Sequence, residues 1–429
     1  MSNRYLTIVF TLIVITSYSL LFYWVLTKTH IQDFTSFYAT LLNLVNNKNP
    51  YSISYSHFLP LTKKLTANLN PPFVFFVFGF LAKFTYQTAL AIWIFLSFIL
   101  GLIGAGLAFH HAFKEDFLRK NWFILFLIYL ALFSTIINIS MAQIGLILLF
   151  ILMLGYHFYL GNRDYIAGFF WGVLIAFKFF PALLFIYVIK QRRMKVFALM
   201  SATTILACLI PYFVHGRIIY SQYFSMMSQV LWYGDNWNAS IFGYIFRLFI
   251  HPQSIKQHLI LMQIIYVFLF LISFLWYLKK LGPKALKPVN HQPFCLTLTM
   301  MLLMSPFGWL YYFPLLIFPL LLIWNSAYEQ INHSVKPMFI FLISLFLINI
   351  PQGYLTNNQM NYFFSKILLN SCFFYGLVLL TYLCAKQDRI SGENDIDYDE
   401  KKQGFIFITL FILMFGLIIT AFKFLLDIN

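Results

Sequence analysis

The stretch YLTIVFTLIVITSYSLLFYWVL, residues 5–26, decides the class of this protein. It is apolar over about 20 residues, the length at which an α-helix crosses the hydrocarbon core of a bilayer. It is longer than the apolar region of a signal peptide, and no cleavage site of small residues follows it. The stretch therefore predicts a retained first membrane span.

Similar apolar runs recur along all 429 residues, and the composition agrees with them. Hydrophobic residues make up 61% of the chain and charged residues 10%, with a mean hydropathy of +0.79. Soluble domains average roughly 45–50% apolar and 25% charged residues. The sequence therefore excludes a large soluble protein and predicts a polytopic all-α membrane protein, with one integral membrane domain over residues 1–429.

We expect about 13 spans, counting separately the members of two short helical hairpins. A polar outer loop, 27–71, follows the first span, and the short apolar stretch 72–84 is predicted to be interfacial or re-entrant on the outer face. The other predicted spans are 88–109, 121–138, 144–160, the hairpin 165–177 and 179–189, 196–213, 259–278, the hairpin 294–304 and 313–324, 337–350, 362–384 and 405–426.

The formal net charge of +16 predicts an orientation. In a membrane protein, basic residues usually mark the cytoplasmic side, so we expect no nucleic-acid partner. With the N-terminus in the cytoplasm, basic clusters at 114–120, 190–195, 279–287 and 386–402 all fall on that side. The same threading leaves only three of the 13 Asp and Glu residues outside, namely Asp33, Asp235 and Asp427.

Asp33 is the first candidate for chemistry on the outer face. The apolar residues that follow it, such as Phe34, Phe37 and Leu41, recur at helical spacing. This pattern predicts an amphipathic helix that lies on the membrane and begins at Asp33. A carboxylate at that position is also a common helix N-cap, and the two roles are compatible.

Lys178 is the second candidate, in the middle of the first short hairpin. A lysine at membrane depth is costly, so a functional role with an anionic partner is the default hypothesis, and snorkelling to the outer interface is the alternative. Two aromatic segments, 233–240 and 305–312, reach the same face, where an interfacial aromatic belt is the simpler explanation. The polar residues that the threading brings to this face are Asp33, Gln143, Lys178, Asn238, Ser240, Arg247 and Tyr311.

The order of these motifs resembles the polytopic GT-C glycosyltransferases, and most closely glycosyltransferase family 87. The resemblance runs from residue 33 to about 325 and departs from the family pattern in two places. The family's Gly-Gln-x-Asn element has become Ala142-Gln143-Ile144-Gly145, and the His that often follows the Trp of Ser-Pro-x-x-Trp is Tyr here. The matching residues are Asp33, Tyr38, Ala39, Pro50, Tyr51, Asn70 to Pro72, Gln143, Ala167, Gly168, Gly172, Lys178, Pro181, Asn238, Ser240, Arg247, Ser305, Pro306 and Trp309.

The resemblance implies a catalytic module over 1–325, with additional membrane helices over 326–429. It implies transfer of a hexose, with mannose expected, from a polyprenyl-phosphate sugar to a lipid or glycan acceptor at the outer face, with inversion. Asp33 would be the general base. Lys178, Arg247, Gln143, Asn238, Ser240, Tyr311 and Tyr38 would bind substrate.

The motif carboxylate is single and the outer face has no Asp-x-Asp pair, which predicts a metal-independent reaction without a cofactor. We expect location in a bacterial inner membrane, with the site on the periplasmic side. The alternatives are a transporter or flippase for a lipid-linked or anionic substrate, with the short hairpins as broken helices, and a catalytically silent relative.

Overall fold

The computed structural model describes residues 2–27, 32–52, 58, 64–65, 68–231, 233–249, 255–281, 290–352, 367, 370–386 and 400–428. Its helices confirm the all-α polytopic class. They are α1 (Ser2–Thr27), α2 (Gln32–Val45), α3 (Pro72–Phe78), α4 (Tyr86–Ala112), α5 (Glu115–Ala131), α6 (Phe133–Ser140), α7 (Gly145–Leu160), α8 (Asp164–Phe177), α9 (Leu183–Lys190), α10 (Met194–His215), α11 (Ile218–Met227), α12 (Ile241–Phe249), α13 (Ile255–Lys280), α14 (Gln292–Leu303), α15 (Ile317–Gln330), α16 (Lys336–Asn349), α17 (Cys372–Lys386) and α18 (Glu400–Ile428).

Within these residues, six helical segments are long and apolar enough to cross a membrane, and the bent pair α5–α6 would make a seventh. The other predicted spans are mostly shorter apolar helices. In the first predicted hairpin, α8 and α9 flank a 3-10 turn at Phe180–Ala182. In the second, a 3-10 helix at Leu310–Leu316 leads into α15. The start of the predicted span 362–384 lies outside the described residues.

The predicted span 121–138 is broken in the structure, because α5 and α6 meet at an angle of 63°. Breaking a helix leaves backbone N–H groups without partners. Here the side chain of Asn349 supplies one acceptor, since its Oδ1 lies 2.7 Å from the backbone nitrogen of Phe133. Its Nδ2 donates to the carbonyl of Ile412, 3.4 Å away. Asn349 thus joins the break to α16 and α18.

Glycines allow α8 and α10 to pack closely. A Cβ on Gly168 would lie 2.8 Å from the carbonyl oxygen of Val196, and one on Gly172 would lie 2.8 Å from that of Met200. Small residues spaced by four on one helix face let backbones approach within a membrane. This contact fixes α8, and with it the Lys178 segment that follows.

The amphipathic helix predicted after the first span is present as α2, but it does not rest on a surface. Residues 34–41 are all buried. Phe37 packs on Trp93 of α4 and Phe75 of α3, with ring centroids 4.9 and 5.5 Å apart. The predicted interfacial stretch 72–84 forms α3 and a 3-10 helix, Gly79–Lys83, which cover α2. The aromatic side chains that gave α2 its apolar face therefore insert into protein.

The described residues of the basic clusters lie at one end of the bundle and Asp33 at the other. Thr35 of α2 hydrogen-bonds to Tyr86, the first residue of α4, over 3.0 Å. The 27 residues of α4 then carry the chain about 40 Å away from Asp33. The described basic residues at that far end lie at or just after the ends of α4, α7, α9, α13 and α17, and include Lys114, Arg163, Lys190, Lys280 and Lys386.

The role of Asn349 can be tested by replacing it with Leu. The backbone N–H of Phe133 would lose its buried acceptor, which should reduce the free energy of unfolding by about 1–3 kcal/mol. Gln330→Leu is the matched control, because Gln330 makes its side-chain bond to Ser326 on an exposed surface. Thermal unfolding in detergent measures both, and equal melting temperatures would show that Asn349 does not stabilise the break.

Candidate active site

Asp33 lies in the first turn of α2 and is partly buried. Its Oδ2 accepts a hydrogen bond from Nε2 of Gln143, 2.7 Å away. The side chain of Tyr311 hydrogen-bonds to the same carboxylate. Three polar residues predicted to reach one face therefore converge, and they come from the start of α2, the connection between α6 and α7, and the 3-10 helix before α15.

The turn that carries Gln143 has a strained backbone. Ala142 has a φ of 48°, in the left-handed region that disfavours residues with a Cβ. Two hydrogen bonds hold the turn. Trp93 Nε1 donates to the carbonyl of Ala142 over 2.8 Å, and the Gln143 backbone N–H donates to the backbone carbonyl of Asn138 over 2.8 Å. Residue 142, where the family pattern has Gly, therefore adopts a backbone conformation that favours Gly.

Gly145 and Asn138 fix the position of Tyr311. The Nδ2 of Asn138 donates to the backbone carbonyl of Tyr311 over 2.9 Å. That carbonyl lies directly against Gly145, where a Cβ would collide with it. The ring of Tyr311 meets Trp237 edge-on, with centroids 5.5 Å apart. Sequence reasoning missed Asn138, although an Asn within an apolar span is itself a signal for a buried polar contact.

Lys178 lies in the connection between α8 and the 3-10 turn that precedes α9, and is partly buried. Its backbone N–H still bonds to the carbonyl of Leu174, over 3.1 Å. Its Nζ lies 5.8 Å from the centroid of the Tyr312 ring, a cation–π distance. The ammonium also interacts electrostatically with Asp33. Asp33 and Lys178 therefore belong to one site.

Burial shifts the pKa values of both charged groups. For Asp33, burial raises the carboxyl pKa above its usual value, while the hydrogen bonds from Gln143 and Tyr311 and the charge of Lys178 oppose the rise. For Lys178, burial lowers the pKa to about 7, against the opposing charge of Asp33. Each group is consequently easier to convert to its neutral form than it would be in water.

Asp235 brings a second negative charge to this site, where it also raises the pKa of Asp33. It is exposed, and its Oδ1 accepts a hydrogen bond from the backbone of Trp237 over 3.0 Å. The sequence identified Asp235 as one of the few outer carboxylates. Its proximity to Asp33 depends on the fold and had no local signal.

Asn238 joins the two aromatic segments to each other. Its Nδ2 donates to the carbonyls of Tyr233 and Pro306, each 2.9 Å away. Its Oδ1 accepts from the backbone nitrogens of Gly308, at 3.0 Å, and Ser240, at 3.1 Å. The side chain is fully buried. Its hydrogen-bonding groups therefore hold the 233–240 loop against the 305–309 loop.

Ser240 is also fully buried, at the start of α12. Its Oγ accepts a hydrogen bond from the backbone nitrogen of Gly243 over 2.9 Å, as an N-cap does. The same hydroxyl donates to the carbonyl of Pro306 over 3.4 Å. Ser240 thus begins the helix that carries Arg247.

All three nitrogen atoms of the Arg247 guanidinium donate hydrogen bonds to the chain. Nε donates to Ser371 Oγ over 3.1 Å, Nη2 to the carbonyl of Asn238 over 3.3 Å, and Nη1 to the carbonyls of Gly234 and Asp235. Arg247 is 5% exposed. These contacts hold the loop that precedes α12 in place.

Tyr38 faces the core between α2 and α4. Its hydroxyl donates to the carbonyl of Phe84 over 2.6 Å, and its ring packs edge-on against Phe58 and Tyr86. It is 4% exposed. These contacts fix α2, and they do not bring Tyr38 into the hydrogen-bond network of Asp33.

A cavity of about 420 Å³ opens beside Lys178. Most of its wall is apolar and rich in Met and aromatic side chains, with Tyr266 and Phe270 contributed by α13. The candidate hydrophobic span of α13 has only 6% of its residues buried in the protein, so this wall is a helix that faces lipid on its other side. The cavity is therefore suited to an apolar chain attached to an anionic group near Lys178.

Comparison with known proteins identifies the family of the chain. The sequence profile of glycosyltransferase family 87 matches residues 68–306, more than half of the 429-residue chain. The matched segment contains Gln143, Lys178 and Arg247, whereas Asp33 and Tyr311 lie outside it and join the site through the fold. No curated protein and no solved structure matches the chain.

The contact between Gly145 and Tyr311 can be tested with Gly145→Ala. The added methyl group would collide with the Tyr311 carbonyl and come within 2.5 Å of Asn138 Oδ1. Overpacking of this kind should destabilise the protein by about 1–3 kcal/mol. Gly106→Ala is the control, since a Cβ there would meet its nearest neighbour, Phe126, at 3.6 Å. Thermal unfolding distinguishes the two, and a Gly145→Ala melting temperature no lower than that of the control would contradict the packing.

Proposed function

The chain belongs to glycosyltransferase family 87, and from this premise we propose that it transfers a hexose, with mannose the expected sugar, from a polyprenyl-phosphate donor to a lipid or glycan acceptor. It is a membrane glycosyltransferase, and the proposal concerns its donor, its acceptor and its mechanism. The observation that carries it is the electrostatic interaction of Asp33 with Lys178, a lysine that itself lines an apolar cavity.

Asp33 is the proposed general base. In the reaction, the acceptor oxygen forms a bond to the anomeric carbon as the bond from that carbon to the phosphate oxygen breaks, which inverts the centre. The acceptor proton passes to Asp33. A carboxylate whose pKa is raised by burial is a better proton acceptor than an ordinary aspartate. Gln143 and Tyr311 would orient it.

Lys178 is the proposed site of charge stabilisation on the leaving phosphate. A phosphate leaves without a general acid, but negative charge builds on it as the glycosidic bond breaks. An ammonium in a partly desolvated site stabilises that charge more strongly than one in water. Burial removes water from around the Lys178 ammonium. This desolvation disfavours the charge when no anion is near, and it strengthens the attraction to an anion that binds beside it.

The 420 Å³ cavity is the proposed position of the first part of the polyprenyl chain. Its lining includes Lys178 at one side and Met301, Met304 and Phe270 along the wall. Met and aromatic side chains accommodate flexible apolar ligands well. A phosphate at Lys178 would let the attached lipid chain enter this cavity directly.

Arg247, Asn238 and Ser240 are proposed to position the loops around the site and not to bind the donor phosphate. Each has its polar atoms directed at the chain itself. Removing any of them should disturb both aromatic segments together. Tyr38 has the corresponding role for α2, through its bond to the carbonyl of Phe84.

We further propose that the site faces the outer side of the membrane, in bacteria the periplasmic side of the inner membrane. The support is the gathering of the described basic clusters at the opposite end of the bundle, since Lys and Arg are concentrated on the cytoplasmic side of membrane proteins. The acceptor would then arrive from the extracytoplasmic side.

Asp33→Asn tests the base. The substitution preserves the shape of the side chain and one acceptor oxygen for Gln143, so we expect a similar melting temperature but transfer slower by about 100-fold to 10,000-fold. The measurement is formation of glycosylated product from radiolabelled polyprenyl-phosphate mannose in membranes. Asp116→Asn, an exposed carboxylate at the far end of the bundle, is the control.

Full transfer by Asp33→Asn would remove Asp33 from this role. A wild-type protein that moves the lipid-linked sugar across vesicles without forming a glycosidic bond would favour the flippase alternative. The proposed reaction uses no metal, so EDTA should leave the wild-type rate unchanged.

The pH dependence tests Lys178. Its depressed pKa, about 7, means that the ammonium is present below that pH and is lost as pH rises through it. Asp33, with a raised pKa, loses its basic form as pH falls. We therefore expect kcat/KM for the donor to be bell-shaped, with the alkaline limb near pH 7.

Lys178→Arg should abolish the alkaline limb, because guanidinium stays charged throughout this range. Lys178→Met should raise the donor KM at every pH, and Lys83→Met, at an exposed lysine, should leave it unchanged. An alkaline limb that persists in Lys178→Arg would assign it to another group.

A further inference from the structure

A second cavity, of about 380 Å³, lies in a different part of the bundle. Helices α1, α5, α15, α16 and α18 surround it. Its lining is almost entirely apolar, with Ile128 on α5, Leu321 on α15 and Leu410 on α18 facing the space. None of these residues takes part in the Asp33 site.

The cavity begins at the basic end of the bundle. The lining residue Leu6 lies at the start of α1, Lys120 in the second turn of α5, and Ile406 near the start of α18. This end is separated from Asp33 by the full length of α4, about 40 Å. The cavity therefore opens toward the leaflet opposite the proposed active site.

The polar side chains of the lining are concentrated at this mouth. Lys120 is exposed there, beside Asn121 and Thr7. Deeper in the cavity, from Ile128 to Leu132 on the α5 side, the wall is apolar. The site thus combines one cation at an aqueous edge with a dry interior, the arrangement that matches a phosphate joined to a hydrocarbon chain.

The length of the cavity fits a chain from one leaflet. From Phe117 to Leu132 its wall follows 15 residue steps of α5 and its cap, or about 22 Å. One leaflet contributes about half of a hydrocarbon core of ~30 Å, or about 15 Å. The wall is therefore long enough for an acyl chain anchored at Lys120 to lie along α5 through the full depth of its leaflet.

We propose that this cavity binds one acyl chain of an anionic phospholipid, whose phosphate contacts Lys120. The lipid fills the space between α18, α5 and α15, and so joins the C-terminal helix to the rest of the bundle. Charge complementarity selects an anionic over a zwitterionic lipid, because the segment 114–120 has three basic residues against two carboxylates, Glu115 and Asp116, and Glu115 is paired with Arg119. The proposal does not depend on transferase activity.

The test is native mass spectrometry of the full chain, released from detergent after incubation with phosphatidylglycerol or phosphatidylcholine. We expect one phosphatidylglycerol to be retained, at least tenfold more than phosphatidylcholine. Lys120→Glu should reduce retention at least tenfold. Lys195→Glu, at another exposed lysine of the basic end, should change it less than twofold.

Leu410→Trp should abolish retention of both lipids by filling the cavity, and Ile128→Trp is a second filling variant in case the first misfolds. Equal retention of the two lipids by the wild-type chain would overturn the proposal. So would retention unchanged by Lys120→Glu, since that exposed substitution does not threaten folding. Bound polypeptide in place of lipid would overturn it as well.

Discussion

The hydrogen bond between Gln143 and Asp33 joins the two parts of the chain on which the site depends. One lies at the start of α2, directly after the first span, and the other in a strained turn between α6 and α7. Tyr311 completes the arrangement, and its backbone is held against Gly145 by Asn138. A carboxylate in this partly buried position needs such donors, because desolvation would otherwise favour its neutral form.

The two departures from the family pattern meet at this site. The position of the absent Asn is Gly145, and the residue in the His position is Tyr311, and these two are in direct contact. A side chain at 145 is incompatible with the Tyr311 backbone carbonyl where it lies, so this backbone arrangement requires Gly at 145. Ala142, by contrast, retains a conformation that suits Gly. A hydrogen bond from Trp93 to its carbonyl, and one from the Gln143 backbone N–H to the carbonyl of Asn138, maintain it.

The sequence was sufficient for the helical class, the basic end and most of the polar residues that meet at the site, because hydrophobic length and charge bias are local properties. It was insufficient to predict where α2 lies, because an apolar helix face can pack either on lipid or on other helices, here α3 and α4. The bend between α5 and α6 depends on Asn349, which is distant in sequence. The hydrogen bonds of Arg247 to the chain could not be predicted, because their acceptors are backbone carbonyls and a serine that is distant in sequence.

The electrostatics of the site connect donor binding to the proposed base. In the free protein, the charge of Lys178 lowers the pKa of Asp33, while burial lowers that of Lys178. An anionic phosphate beside Lys178 would stabilise its ammonium and offset the positive charge that Asp33 experiences. Asp33 would then become more basic when the donor is bound, the state in which a proton must be removed from the acceptor. In the proposed reaction, Lys178 would thereby bind the leaving group and also make Asp33 a stronger base.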